Sequence, residues 1–170
     1  MRISAIAILG VMAGLAAASG AAAAPSVERG NYLVNTIMGC GNCHTPVGPN
    51  GPEFDKALSG MMVENSEAFT AVASNITPAG RVADWSDEEL ARAIREGIRP
   101  DGSLIGPPMP FEVYNGISDT DLASVVMYLR TVPAVESDPG TSEYRIPLPP
   151  AYGPPVESVA DVAEGVSVEY

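Results

Sequence analysis

The spacing of apolar residues along the chain predicts three helices, over residues 26–38, 85–97 and 117–133. Each helix has a serine at or next to its first residue, and a serine hydroxyl can accept a hydrogen bond from the first backbone amides of a helix. The second helix also carries Glu89 three residues after its serine, which completes a capping box, and it stops at Gly97. Helices of this kind, joined by loops, predict a small all-α domain.

The last helix has the clearest apolar face. Its residues Leu122, Val125, Val126 and Leu129 lie on one side, and Met127 lies well away from the centre of that side. We therefore predict that the four belong to the core and that Met127 packs at its rim.

The segment between the first two helices is different in character. Residues 45–83 are rich in Gly, Pro, Asn and Ser and show no sustained period, and we predict only a short helix near residues 64–73. A loop of this length is uncommon in a compact domain unless it packs against something. We expect it to pack around a bound group.

The first residues have the three-part order of a secretory signal peptide. One arginine is followed by an apolar run over residues 3–15 and then by small residues. The run is shorter than the about 20 residues that a spanning helix needs. We expect a signal peptide over residues 1–24, cut near 21–24, and a periplasmic domain over residues 25–135 without a membrane span. The alternative is an uncleaved anchor.

The last part of the chain, residues 136–170, is rich in proline and acidic side chains. This composition favours extended or disordered chain. The tail either wraps the domain through Tyr144, Ile146, Leu148 and Tyr152, docks to a partner, or is simply solvated.

The charge of the chain limits its partners. It has 9 basic and 21 acidic residues, a net charge of −12, and removal of the signal peptide would leave −13. Such a surface repels nucleic acid and anionic lipid and favours encounter with a basic partner. We expect no nucleic-acid partner. The acidic excess either steers a redox partner or only maintains solubility.

The stretch MGCGNCHTP contains both cysteines and the only histidine of the chain. On a helical turn Cys40 and Cys43 share a face, and His44 follows directly. This is the c-type haem attachment motif, with two thioether bonds and an imidazole that reaches the iron. A thiol redox pair, a disulfide and a zinc site are the alternatives, but zinc needs four ligands. We predict one covalently attached haem c with His44 as proximal ligand.

The second axial ligand cannot be another histidine, since His44 is the only one. Met61, Met62 and Met109 are the candidate thioethers. Met109 stands among prolines in GPPMPF, and prolines fix the backbone and make the segment stiff. A sulfur on a rigid loop binds iron at little ordering cost, so we predict Met109 as the second metal ligand. A methionine packed as filler in a surface turn is the alternative.

The order of these parts resembles the class I, mono-haem cytochrome c family over residues 27–135. The stretches RGNYLV, GCGNCHTP, SNITP, WSDEELARAIREGIRPDG and PPMPF are similar to cytochrome c subunits that serve periplasmic dehydrogenases of alcohols, aldehydes and sugar acids. The resemblance implies an all-α fold of three or more helices around one haem, with long loops and a proline-rich C-terminal tail.

The resemblance also implies roles for individual residues. Gly30 matches the small residue at which the first and last helices cross, and Tyr128 and Leu129 match its counterparts in the last helix. Trp85 resembles a tryptophan that meets a haem propionate in some members, although packing at the start of its helix explains Trp85 equally well.

A further implication concerns the proximal histidine. In the family it donates a hydrogen bond to a backbone carbonyl in a nearby proline-containing loop. Pro46, Pro49 and Pro52 mark the candidate positions for that carbonyl here.

These site predictions lead to a function. With His44 and Met109 on the iron no position is vacant for substrate, so the iron changes only its charge. We expect an electron carrier rather than an enzyme, either free or as a subunit of an oxidoreductase complex. It would pass electrons from a dehydrogenase to a cytochrome or oxidase. The alternatives are a haem enzyme or gas sensor with an open sixth position, and a thiol oxidoreductase.

Overall fold

The structure of the protein, a computed structural model, describes residues 24–147. Residues 1–23 and 148–170 lie outside the described part, and with them nearly all of the predicted signal peptide and residues Leu148 and Tyr152 of the tail. The helices are α1 (Val27–Tyr32), α2 (Gly41–His44), α3 (Asp87–Glu96), α4 (Phe111–Tyr114) and α5 (Asp119–Leu129). The strands are β1 (Val47–Gly48), β2 (Gly51–Pro52), β3 (Met61–Asn65), β4 (Phe69–Ala73) and β5 (Glu143–Tyr144).

The crossing of α1 and α5 depends on a glycine. A Cβ on Gly30 would lie 1.9 Å from the Ser124 carbonyl oxygen and 2.6 Å from the Cβ of Tyr128. Only glycine allows the two backbones to approach this closely. The predicted crossing of Gly30 with Tyr128 is confirmed. After Tyr32 the first helix continues as a π-helical turn, Leu33–Ile37.

The predicted serine caps are confirmed at all three helices. The Ser26 hydroxyl accepts a hydrogen bond from the Arg29 amide at 3.1 Å. At α3 the Ser86 hydroxyl and the Glu89 carboxylate accept reciprocally from each other's backbone amides. Gly97 ends this helix in the left-handed conformation at φ 69°, which glycine adopts without a Cβ penalty. Ser118 caps α5.

The core lies where α1, α3 and α5 meet. All four predicted core residues of α5 are buried, and Met127 is 40% exposed at the edge. The same hydrophobic cluster contains residues from the loops as well as from the other helices. It consists of Leu33, Val34, Leu58, Val82, Leu90, Ile94, Leu122, Val125, Val126 and Leu129.

The all-α prediction is wrong, because the chain also forms two antiparallel sheets. Strands β1 and β2 make a small hairpin, and β3, β4 and β5 make a three-stranded sheet in that order. The helix predicted near residues 64–73 is the β3–β4 hairpin. A register shift between Met62 and Glu64 interrupts the alternation that would otherwise mark β3 as a strand.

Strand β5 belongs to the segment after the last helix. Tyr144 pairs with Phe69 and Glu143 with Thr70 on the edge of β4. The beginning of the proline-rich tail therefore packs on the domain, while Ile146 is 49% exposed. Between residues 24 and 147, no helix has the length and apolar character needed to cross a bilayer.

Candidate cofactor-binding site

A mostly apolar cavity of about 300 Å³ lies between the helical core and the β3–β4–β5 sheet. Its walls combine apolar side chains of α3 and α5, the inner face of the hairpin and the loop that precedes α4. The five site residues predicted from the sequence all line it: Cys40, Cys43, His44, Trp85 and Met109.

The turn that carries the two cysteines begins after Gly39, whose φ of 61° requires the left-handed region. One turn of helix then brings the His44 amide within 3.0 Å of the Cys40 carbonyl oxygen. No disulfide joins Cys40 and Cys43. Burial raises the pKa of the Cys40 thiol to about 11. This shift is opposite in direction to the lowered pKa that is typical of a redox-active thiol.

His44 is held in one orientation by the backbone of another loop. Its Nδ1–H donates to the Ser74 carbonyl oxygen at 2.7 Å, which assigns the proton to Nδ1 and leaves the lone pair on Nε2 for a metal. Burial lowers the pKa of His44, and the bond to Ser74 opposes this shift. The prediction of a carbonyl at Pro46, Pro49 or Pro52 is wrong.

The Ser74 carbonyl is held in place by the buried residues that follow it. The Asn75 amide donates to the Val135 carbonyl oxygen at 2.7 Å, and its own oxygen accepts from the Thr77 backbone amide and hydroxyl. The Thr77 hydroxyl also accepts from the Val135 amide at 3.2 Å. The motif SNITP thus ties the loop behind His44 to the chain after α5.

Met109 lies in the cavity that His44 lines, at the end of the loop before α4. Among the described methionines Met38 also lines the cavity, whereas Met61 and Met62 do not. Met62 is 59% exposed on β3. Of the three candidate thioethers, the fold brings only Met109 together with His44 in one cavity.

A second, more polar cavity of about 490 Å³ adjoins the first, and six residues line both: Val72, Ser74, Trp85, Arg99, Ser142 and Tyr144. Six of the eight basic residues that the structure describes form ion pairs with carboxylates. The other two, Arg81 and Arg99, line this cavity. Burial and the charge of Arg81 lower the pKa of Arg99, while Asp101, which also lines this cavity, opposes the shift. Among the described residues, neither Arg81 nor Arg99 forms an ion pair with a carboxylate. The sequence analysis did not identify either arginine.

The combined site is suited to a large planar apolar group with acidic substituents. The first cavity supplies apolar walls, two thiols, an imidazole nitrogen and a thioether, and the second supplies two guanidinium groups. Within residues 24–147, no three His, Cys, Asp or Glu side chains are grouped so as to hold a metal ion by themselves. This finding argues against the zinc alternative.

Comparison with known proteins identifies relatives of the chain. It is 34% identical over 109 residues to the fructose dehydrogenase cytochrome subunit of Gluconobacter japonicus, a match covering 63% of this chain and 21% of the relative. It is 37% identical over 115 residues to a diheme cytochrome c-type protein of Cereibacter sphaeroides, covering 66% of this chain and 38% of the relative.

A third relative is the cytochrome c subunit of the quinone alcohol dehydrogenase of Gluconobacter oxydans, 29% identical over 104 residues, or 60% of this chain and 20% of the relative. No family model matches the chain. The matched segment spans only about a fifth to two fifths of the length of these relatives. The resemblance predicted from the motifs is confirmed: the chain is related to the cytochrome c subunits of dehydrogenases.

Proposed function

We propose that the protein is an electron-transfer cytochrome c that holds one haem c in the apolar cavity. Cys40, Cys43, His44 and Met109 come from two distant segments and line one cavity. That single observation carries the proposal, because a covalently attached haem with two axial ligands needs these four side chains around one space.

The attachment turn has two tasks in this proposal. The Cys40 and Cys43 sulfurs hold the cofactor covalently, and His44 Nε2 binds its iron. The bond from His44 Nδ1 to the Ser74 carbonyl, at 2.7 Å, fixes the plane of the imidazole and increases its basicity as a ligand. When bound, haem supplies an iron that gains or loses one electron.

Met109 would supply the second ligand of the haem iron. A thioether favours the reduced state relative to a second imidazole and so raises the potential. A haem iron held by both His44 and Met109 would have no position left for a substrate. The position of Met109 in the cavity therefore favours electron transfer over the haem enzyme or gas sensor with an open sixth position.

The polar cavity fits the acidic edge of the cofactor. Arg81 and Arg99 lie beside it, and Arg99 and Trp85 line both cavities. Carboxylates placed there would gain hydrogen bonds from two guanidinium groups, and among the described residues Asp101 is the one acidic residue that lines the same cavity. We assign to Trp85, Arg81 and Arg99 the role of holding the haem carboxylates.

The names of the relatives support the choice of partners. They are cytochrome subunits of a fructose dehydrogenase and an alcohol dehydrogenase. We propose that this protein likewise accepts electrons from a dehydrogenase and passes them to a cytochrome or oxidase. We also propose that it does so in the periplasm, after cleavage of a signal peptide within residues 1–24.

Mass spectrometry of the denatured protein tests the cofactor directly. We expect the mass of the chain plus one haem and no thiol that reacts with an alkylating reagent, because both cysteines form thioethers. Cys40→Ser provides the matched variant, which should keep at most one thioether bond. Denatured protein without haem, or with more than one, would contradict the proposal.

A further inference from the structure

The segment after the last helix returns to the cavity and places Tyr144 beside the loop that carries Met109. We propose that Tyr144 is a positioning residue that holds this loop in place through a hydrogen bond to the Pro107 carbonyl. The inference rests on the proposed function, since it concerns the residue assigned as the second iron ligand.

The segment itself is firmly attached to the sheet. Residues 142–145, which we call the strap, pair with β4, and the Arg145 amide donates to the Ala68 carbonyl oxygen at 2.8 Å. The Ser142 hydroxyl accepts from the Val72 amide at 2.9 Å and donates to the Val72 carbonyl at 3.2 Å. The Arg145 guanidinium donates to the Glu67 carbonyl at 3.0 Å. The strap thus provides a fixed support beside the cavity.

Tyr144 extends from this support to the Met109 loop. Its hydroxyl donates to the Pro107 carbonyl oxygen at 2.8 Å. Its ring covers Gly106 so closely that a Cβ there would lie 2.5 Å from the ring carbon Cζ. The ring also packs against Phe69 at a centroid distance of 5.7 Å. The side chain therefore joins β4 to the residues just before Met109.

The loop needs such an external contact because its own backbone has few donors. Pro107, Pro108 and Pro110 carry no amide hydrogen. The nearest backbone hydrogen bond before these prolines runs from the Ile105 amide to the Gly97 carbonyl oxygen at 2.7 Å. The nearest one after Met109 runs from the Val113 amide to the Pro110 carbonyl oxygen at 3.0 Å. The Tyr144 hydroxyl supplies a bond within this interval, two residues from Met109.

If this assignment is right, loss of the hydroxyl makes it easier for Met109 to leave the iron. In the oxidised protein with its haem, we would add imidazole and follow the disappearance of the sulfur-to-iron charge-transfer band. We expect Tyr144→Phe to accelerate displacement of Met109 roughly three- to tenfold, the effect of one lost hydrogen bond. Tyr32→Phe changes a tyrosine that is 48% exposed on α1 and should leave the rate unchanged.

Hydrogen exchange provides a second readout that does not depend on the iron. In Tyr144→Phe we expect faster exchange at the Ile105 amide, whose hydrogen bond to the Gly97 carbonyl is the nearest one before the prolines, and unchanged exchange in α5. A double-mutant cycle tests the ring contact. Gly106→Ala should increase the displacement rate by itself, but should have a smaller effect when Tyr144→Ala has removed the ring it would strike.

The outcomes separate this inference from the proposed function. If Met109→Ala abolishes the charge-transfer band while Tyr144→Phe changes neither displacement nor exchange, the iron ligand stands and the role of Tyr144 is refuted. If the unaltered protein has no such band, the ligand assignment fails. Exchange at the Ile105 amide then still decides whether Tyr144 holds the loop.

Discussion

Met109 and Met62 are both methionines of this domain, but their surroundings differ. Met109 lines the cavity that His44 also lines, while the Met62 side chain is 59% exposed. A neutral imidazole on one segment and a stiffly held thioether on another make a ligand pair that the iron of a cytochrome c can use. The identity of the second ligand is thus a question that single substitutions can answer.

We predict that Met109→Ala removes a ligand from the iron. The oxidised protein should lose the sulfur-to-iron charge-transfer band and change from a low-spin to a high-spin spectrum. Met61 and Met62 do not line the cavity, and Met38, which does, is held beside the attachment turn. Absorption spectroscopy of both oxidation states measures this. Met62→Ala and Met61→Ala are the matched controls and should leave both spectra intact. Loss of the band in either control, with Met109→Ala unaffected, would show that the loop assignment is wrong.

At the scale of secondary-structure elements, α1 and α5 cross so closely that the crossing requires a glycine. Gly30 permits this contact, and the turn with Cys40 follows α1 after a π-helical segment. The β3–β4 hairpin faces the cavity from the other side and carries the carbonyl of Ser74 at its end. A substitution that weakens this helix crossing should therefore also disturb the cavity.

We expect Gly30→Ala to lower the free energy of unfolding by about 1–3 kcal/mol, the usual range for overpacking in a core. The added Cβ would strike the backbone oxygen of Ser124 at 1.9 Å, and no side-chain rotation relieves that contact. Urea denaturation followed by circular dichroism measures the change. Gly116→Ala is the control, because a Cβ there has nothing within 4 Å. Equal midpoints for the two variants would contradict the tight crossing.

At the scale of the whole molecule, charge is distributed unevenly. The chain has a net charge of −12, yet the two described basic residues without a paired carboxylate lie together at the polar cavity. Two haem carboxylates would balance this local positive charge. The excess of acidic residues would then determine the electrostatic field that an approaching partner meets. Such fields steer association until salt screens them.

We predict that electron transfer with small reagents depends on their charge. A cationic reagent should react faster with the reduced protein than an anionic one, and the difference should decrease as ionic strength rises. Stopped-flow measurements at several salt concentrations provide the test. Equal rates that do not respond to salt would instead indicate an apolar docking face around the cofactor edge, as expected where charge at an interface core is costly to desolvate.

Features that depend on residues close together in the chain could be predicted from the sequence. The serine caps, the stop at Gly97 and the apolar face of α5 are confirmed because each arises from hydrogen bonds or packing within a few turns. The attachment motif and the prolines on both sides of Met109 are likewise patterns of neighbouring residues. Both are therefore visible before any fold is known.

The tertiary structure decided what depends on distant segments. The partner of His44 is a backbone carbonyl, a group that every residue carries, so nothing in the sequence distinguishes Ser74 from Pro46. The sheet was not predicted for two reasons. Strand β5 pairs with β4 although the two strands are far apart in the sequence, and a register shift interrupts the alternation in β3. Long-range pairing of this kind leaves no local period. For the same reason, only the fold brings Tyr144 to the loop of Met109 and the cations Arg81 and Arg99 to one cavity.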